Sequence, residues 1–324
     1  MKHLRYPAQW LPLLVLLGLA LVPTLASLTD DNFLVTFFAR VLIYGIAASA
    51  LNIALGFGGL VSLGHALFIG IGMYSVALPV HFGVTSGWVH LAWCIGMCAT
   101  VGVVTGLVSL RTTGIGFIMI TLAFAQMGYF VIISLKQFGG DDGLSINGAS
   151  DFFGLRLSGP VPVYYAALLL LGGLLLWSGR MRQSPFGMAL RGARQNARRV
   201  ASIGLALRHY QLAAYVLSAV VCGLAGLLFA NLNAYASPST MAWTVSGELI
   251  VMVVLGGMGT VTGPLLGAVV FLGIEEVFKL MTEHWMAPFG LAILAVSLVG
   301  KSGLMGWLAH FTPRAGTVRE EATP

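Results

Sequence analysis

The chain has 324 residues, of which 58% are hydrophobic and only 9% charged, with a mean hydropathy of +0.91. Soluble domains carry about a quarter charged residues, so this composition excludes a soluble globular protein and implies an all-α, polytopic helical membrane protein. The formal charge of +6 is no nucleic-acid signature, because most of the excess sits in one arginine-rich loop and at the two ends, where membrane topology accounts for it.

A membrane helix needs about 20 mainly apolar residues, and on that ruler about ten spans fall near 11–28, 33–55, 60–81, 87–109, 115–135, 161–179, 210–232, 246–258, 262–282 and 287–301, the eighth being short. The first follows a basic start (Lys2, His3, Arg5). Its apolar run to Ser27 reads either as a secretory signal or as a retained anchor, and multi-spanning chains usually keep theirs. Between the second and third spans lies Asn52 to His65, a glycine-dense stretch with Asn52, Ser62 and His65 at membrane depth. Glycines let backbones approach closely and let helices break inside protein, while buried polar groups need a partner or a water-filled path. Ser62 and His65 also have the spacing of a hydrolytic pair. No acid is placed to orient the histidine, so a packing or pathway role is the better reading. Cys94 and Cys98, four apart on one helix face, lack a histidine or a second thiol pair; they read as buried packing and not as a metal site.

Gln126 sits in the middle of the fifth span. After it, Lys136–Pro160 forms the longest external connection, rich in the turn residues Gly, Asp and Asn, and including Asp141 and Asp142. It reads as an exposed loop or as a docking surface. Arg180 to Arg208 then holds seven arginines and no Asp, Glu or Lys. Such a segment resists crossing the bilayer and stays in the cytoplasm. Six spans separate it from Lys2 and Arg5, and ten bring Lys301, Arg314 and Arg319 to the same side, so both termini are expected in the cytoplasm. Pro185, Phe186 and Gly187 should break the helix leaving the membrane. Met188–Val200 then reads as a short amphipathic helix with Leu190, Ala193, Ala197 and Val200 along one side.

A second glycine break, Gly256 to Pro264, falls on the same side as the first. Paired broken helices point to a transport pathway. Glu248 opens the eighth span, and Glu275 can pair with Lys279 in the ninth. No ionisable residue is clearly central, which argues against ion coupling and for an outside source of energy.

Four stretches, in order over about residues 40–305, resemble the permease subunits of ABC importers for branched-chain (hydrophobic) amino acids, in particular the longer of the two permeases; related permeases serve urea and short amides. They are Leu55–Ala66 with its Ser-Leu-Gly-His core, Thr121–Ala125 with Gly139–Leu144, Ser184–Arg191 running to Gly204, and Glu248–Thr260 ending in Gly263–Pro264. The resemblance implies an ABC importer permease in a bacterial inner membrane. It divides into an N-terminal segment and first span (1–32), a permease unit (33–305) with a coupling loop (180–209), and a short cytoplasmic tail (306–324); the chain after Lys301 looks dispensable. Implied partners are a second permease subunit, two cytoplasmic ATPase subunits, a periplasmic substrate-binding protein and membrane lipid. No catalytic centre, metal or cofactor belongs to this chain, since ATP would bind the ATPases. By the same analogy Ser184, Pro185, Phe186, Gly187, Arg191, Arg194, Asn196 and Gly204 form the ATPase-coupling loop. Asp141 and Asp142 dock the binding protein, and Asn52, Ser62, His65, Gln126 and Glu248 line the translocation path. One departure is that family members commonly flank the loop asparagine with acids, where this chain has Gln195 and Ala197. The alternatives are a urea or amide permease, or a facilitative small-solute channel without ATP coupling.

Overall fold

The structure is a computed structural model describing residues 18–23, 32–299 and 303–306. The expected first span and the tail therefore lie largely outside the described residues. Ten α-helices follow within them: α1 (Asn32–Asn52), α2 (His65–His81), α3 (Gly87–Ser109), α4 (Ile115–Ser134), α5 (Pro160–Gln183), α6 (Pro185–Ser202), α7 (Leu207–Asn233), α8 (Trp243–Gly256), α9 (Gly263–Met281) and α10 (Met286–Val299). Five apolar helices, starting with α1 and its extension to Phe57 and followed by α3, α4, α5 and α7, are long enough to cross a membrane. The eighth expected span is α8, and at 14 residues it reaches about 21 Å, short of a hydrocarbon layer of about 30 Å. The third expected span starts later than its apolar content suggests, at His65, because Gly58–Gly64 is irregular backbone.

α7 is the central post, packed on α1, α2 and α3. Its seam with α2 is made by absent side chains. A Cβ at Gly72 would run into the Gly223 carbonyl, and one at Gly226 into that of Ile69. Lipid tails are as apolar as leucine, so close backbone packing, and not solvent exclusion, holds membrane helices together. The α8–α9 hairpin uses the same device, with Gly256 against the Gly263 carbonyl and Gly267 against that of Met252.

α1 does not stop at Asn52 but continues through a π-helical turn, Ile53–Phe57. Gly59, at φ +70°, ends it, and the Leu60 N–H returns to the Ala54 carbonyl at 3.0 Å. At the far end of the bundle the connection after α4 folds into a small cap. Strand β1 (Leu144–Ser145) pairs antiparallel with β4 (Tyr235–Ala236), and β2 (Asp151–Phe152) with β3 (Leu155–Arg156). His90 pins the cap to α3 through Ser150 Oγ at 2.8 Å and the Val84 carbonyl at 3.0 Å, and Asn231 Oδ1 accepts from the Ser150 N–H at 3.0 Å.

Candidate functional site

The arginine-rich segment starts differently from the sequence expectation. The chain turns at Ser184, whose Oγ accepts from the Gly187 N–H at 3.2 Å, and α6 takes in Pro185, Phe186 and Gly187 from the outset. α5 ends at Gln183, so the expected break is there, but serine at the cap followed by proline at the first helical position is a start signal, and α6 begins at Pro185 and not at Met188. The true interruption is Asn196 (φ −155°, ψ 94°), whose Oδ1 accepts from the Arg199 N–H at 3.1 Å and restarts the helix. That kink re-aims the apolar stripe: Leu190 and Ala193 are buried as expected, but Ala197 is exposed and Val200 only half-buried.

Two of the arginines named for outward contacts turn onto their own chain. Arg191 donates through Nη2 to the Arg182 carbonyl at 2.9 Å, tying α6 to the end of α5. Arg194 donates through Nη1 to the Gly56 carbonyl in the π-helical turn, with its stem lying against Gly59 and its guanidinium beside Gly259. Asn52 closes the arrangement. Its Nδ2 donates to the Thr260 carbonyl at 2.8 Å and its Oδ1 accepts from the Gly259 N–H at 2.9 Å. The two glycine breaks and α6 are thus one hydrogen-bonded unit, brought together from positions more than 200 residues apart in the case of Asn52 and Thr260. Residues 303–306 join it as well: Gly303 (φ +69°) packs on the Gly257 backbone, and Thr262 Oγ1 reaches Met305 Sδ at 3.7 Å. This part of the C-terminal region is a packed element, contrary to its dispensable appearance in sequence. Beside the unit lies a cavity of about 400 Å³, lined by Gly58, Gly59, Thr112, Arg194, Gln211 and Met258 among others. Ser184 and Gly187 serve the turn, the Phe186 ring lies tilted against Tyr210, and Gly204 (φ +85°) is exposed. Gln195, Asn196, Arg198 and Arg199 all face outward.

We expect Asn52→Ala to strand a buried carbonyl and N–H in the 257–260 turn, at a cost of about 1–3 kcal/mol. Thermal unfolding of the detergent-purified protein checks this; an unchanged midpoint would show that the turn holds itself.

The five residues expected along a path do not share a cavity. Ser62 is fully buried and its Oγ accepts from the Gly64 N–H at 3.1 Å. His65 hydrogen-bonds Ser218 Oγ at 2.8 Å and not Ser62. Because Ser218 Oγ donates to the Ala50 carbonyl at 2.5 Å, His65 Nε2 is the donor to it. The Leu63 and Ala66 N–H groups bond Thr121 Oγ1 (3.2 Å) and Ser246 Oγ (2.8 Å), so the start of α2 is sewn to α4, α7 and α8. Gln126 is half-buried on α4, and Glu248 half-buried in the second turn of α8. Asp141 and Asp142 are exposed on the loop next to the strand cap. Cys94, Cys98 and Cys222 are buried and free.

Reading by sequence missed Ser218, Ser246 and Thr121, whose signal was a lone hydroxyl in an apolar run. It also missed Arg40, a cation inside the second expected span. Arg40 Nη2 lies 3.5 Å from Glu275 Oε1, which also holds Lys279 Nζ at 2.5 Å, as the i, i+4 spacing foretold.

These features sit on a chain that matches, over residues 33–299, the family described as branched-chain amino acid transport system / permease component. The chain is 28% identical over 288 residues to the high-affinity branched-chain amino acid transport system permease protein LivM of Escherichia coli (strain K12), covering 82% of this chain and 68% of that one. To the protein of the same name from Salmonella typhimurium (strain LT2) it is 27% identical over 288 residues, with the same coverage. No solved structure matches it. A match across most of the chain, on a helical bundle built to lie in a membrane, places it: the chain belongs to the branched-chain amino acid transport system permease family, as an all-α, polytopic membrane subunit.

Proposed function

We propose that this chain is the permease subunit of an ATP-driven importer that carries branched-chain or other hydrophobic amino acids across the bacterial inner membrane. In this reading it pairs with a second permease, receives substrate from a periplasmic binding protein near Asp141 and Asp142, and is driven by two cytoplasmic ATPase subunits that bind the ATP. The observation that carries it is α6. It is the most amphipathic of the described helices, buries one face through Leu190 and Ala193, and leaves Met188, Asn196, Arg198 and Arg199 exposed. An outward helix wired through Arg194 to both glycine breaks is suited to pass a partner's movement into the bundle. None of its arginines forms an ion pair among the described residues, so an acidic groove or anionic lipid would complete the surface.

The test is co-purification from native membranes with Met188→Asp combined with Arg198→Ala and Arg199→Ala. The ATPases should accompany the wild type and be lost from the variant, while the second permease stays bound. Recovery of the wild type without ATPases would remove ATP coupling.

A further inference from the structure

We propose that Arg40 and Glu248 form a recognition site for the paired charges of a zwitterionic α-amino acid at the end of the bundle away from α6. Arg40 is 16 residues before Gly56, or about 24 Å along a helix at 1.5 Å per residue. Glu248 is near the start of α8, and Glu275 and Lys279 are near the end of α9, so the four charges from three helices gather at one level. Charged side chains inside apolar helices are costly and persist where they pair fully or serve a ligand.

Here the pairing is uneven. Glu275 Oε1 is held by both Lys279 (2.5 Å) and Arg40 (3.5 Å) and has no need of a further partner. Among the described residues Arg40 makes only that one long ion pair and its Nε has no acceptor, while its guanidinium stands 5.7 Å from the Tyr44 ring centre. Glu248 is half-buried and has no ion pair among the described residues, although the charges that reach it are Glu275, Arg40 and Lys279. One cation with unused donors and one anion with unused acceptors therefore stand on α1 and α8, which pack directly against each other. A carboxylate matches the guanidinium fork and an ammonium matches the carboxylate. An α-amino acid carries both groups on one carbon. Beside these charges Ile43, Tyr44, Ala47, Phe229, Thr240 and Val245, among others, surround a void of only about 10 Å³. That is the size of a single water, so an aliphatic side chain would enter by parting α1, α7 and α8.

The proposal rests on the reading of the chain as an amino-acid permease, and its test separates the two. In the complete importer, with Thr244→Cys one turn from Glu248, L-leucine should slow thiol modification of that cysteine, and leucinamide and 4-methylpentanoate should not. Adding Glu248→Gln should abolish the protection, whereas Glu248→Asp should keep it. Leucine uptake in proteoliposomes should fall at least about tenfold in Glu248→Gln, the scale of one lost charge-assisted contact, and stay within about threefold in Glu248→Asp. Glu248 has no ion pair to break among the described residues, so subunit recovery should not change. Absence of leucine protection, or equal loss in Gln and Asp, overturns the site. A wild type that shows protection but no ATP-dependent uptake supports the site and counts against the importer.

Discussion

In the proposed importer, Arg194→Ala is expected to leave the complex assembled and hydrolysing ATP while cutting substrate uptake at least about tenfold. A hydrogen bond from a charged group contributes about 1.5–3 kcal/mol, and this one ends on a carbonyl of a π-helical turn that has left the regular helical ladder. The guanidinium is also the only side chain of α6 placed against both glycine breaks, Gly56–Gly59 and Gly259. Without it, α6 still folds on Leu190, Ala193 and the Ser184 cap, and its outward face is unchanged. What is lost is the path by which a shift of α6 moves the ends of α1 and α8. Substrate carried per ATP hydrolysed, measured in proteoliposomes, separates this from a docking defect. Uptake and hydrolysis falling together would mean that Arg194 belongs to the partner surface; unchanged uptake would mean that the contact transmits nothing. Arg194→Lys should recover part of the uptake, since an ammonium can reach one carbonyl but cannot also lie flat along the glycines.

The largest structural effect is expected at the α2–α7 seam. Gly226→Val should yield little or no folded protein, because the new side chain meets the Ile69 backbone carbonyl and not a movable side chain. Overpacking against side chains costs about 1–3 kcal/mol, and a backbone obstacle in the broadest helix contact among the described residues leaves no room to relax. Gly72→Val, which meets the Gly223 carbonyl, should fail in the same way. Gly173→Val on α5 is the control, since nothing lies within 4 Å of its Cβ position. Size-exclusion profiles of the tagged proteins in mild detergent read the difference. A Gly226→Val protein as monodisperse as the wild type would mean that the seam can open without loss.

Much of this chain was legible before any coordinates. Apolar run lengths located the helices to within a few residues, because a bilayer imposes its thickness on every span. Positive-φ glycines marked the two breaks, Gly59 on one side and Gly257 and Gly259 on the other, since few other residues adopt that backbone. The Glu275–Lys279 pair followed from helix geometry alone. The rest is hidden for physical reasons. Composition does not say on which side of Pro185 a helix lies: α5 ends just before it, as expected, and the Ser184 cap makes Pro185 the first residue of α6. A polar residue at membrane depth, such as Asn52, Ser62 or His65, looks the same in sequence whether it faces water or a hydrogen-bond partner.

Composition, run length and glycine spacing are local properties, and they suffice for the helical class and the positions of the breaks; the family rests on the resemblance of whole motifs. Where the polar atoms point is settled by the packing of distant helices. Arg194 turns inward to Gly56, Asn52 reaches Thr260, His65 reaches Ser218, and Arg40 shares Glu275 with Lys279. Inside an apolar bundle an unpaired polar group costs several kcal/mol, so each must find its partner across the fold. Which partner that is depends on helix packing, to which hydropathy and periodicity are blind.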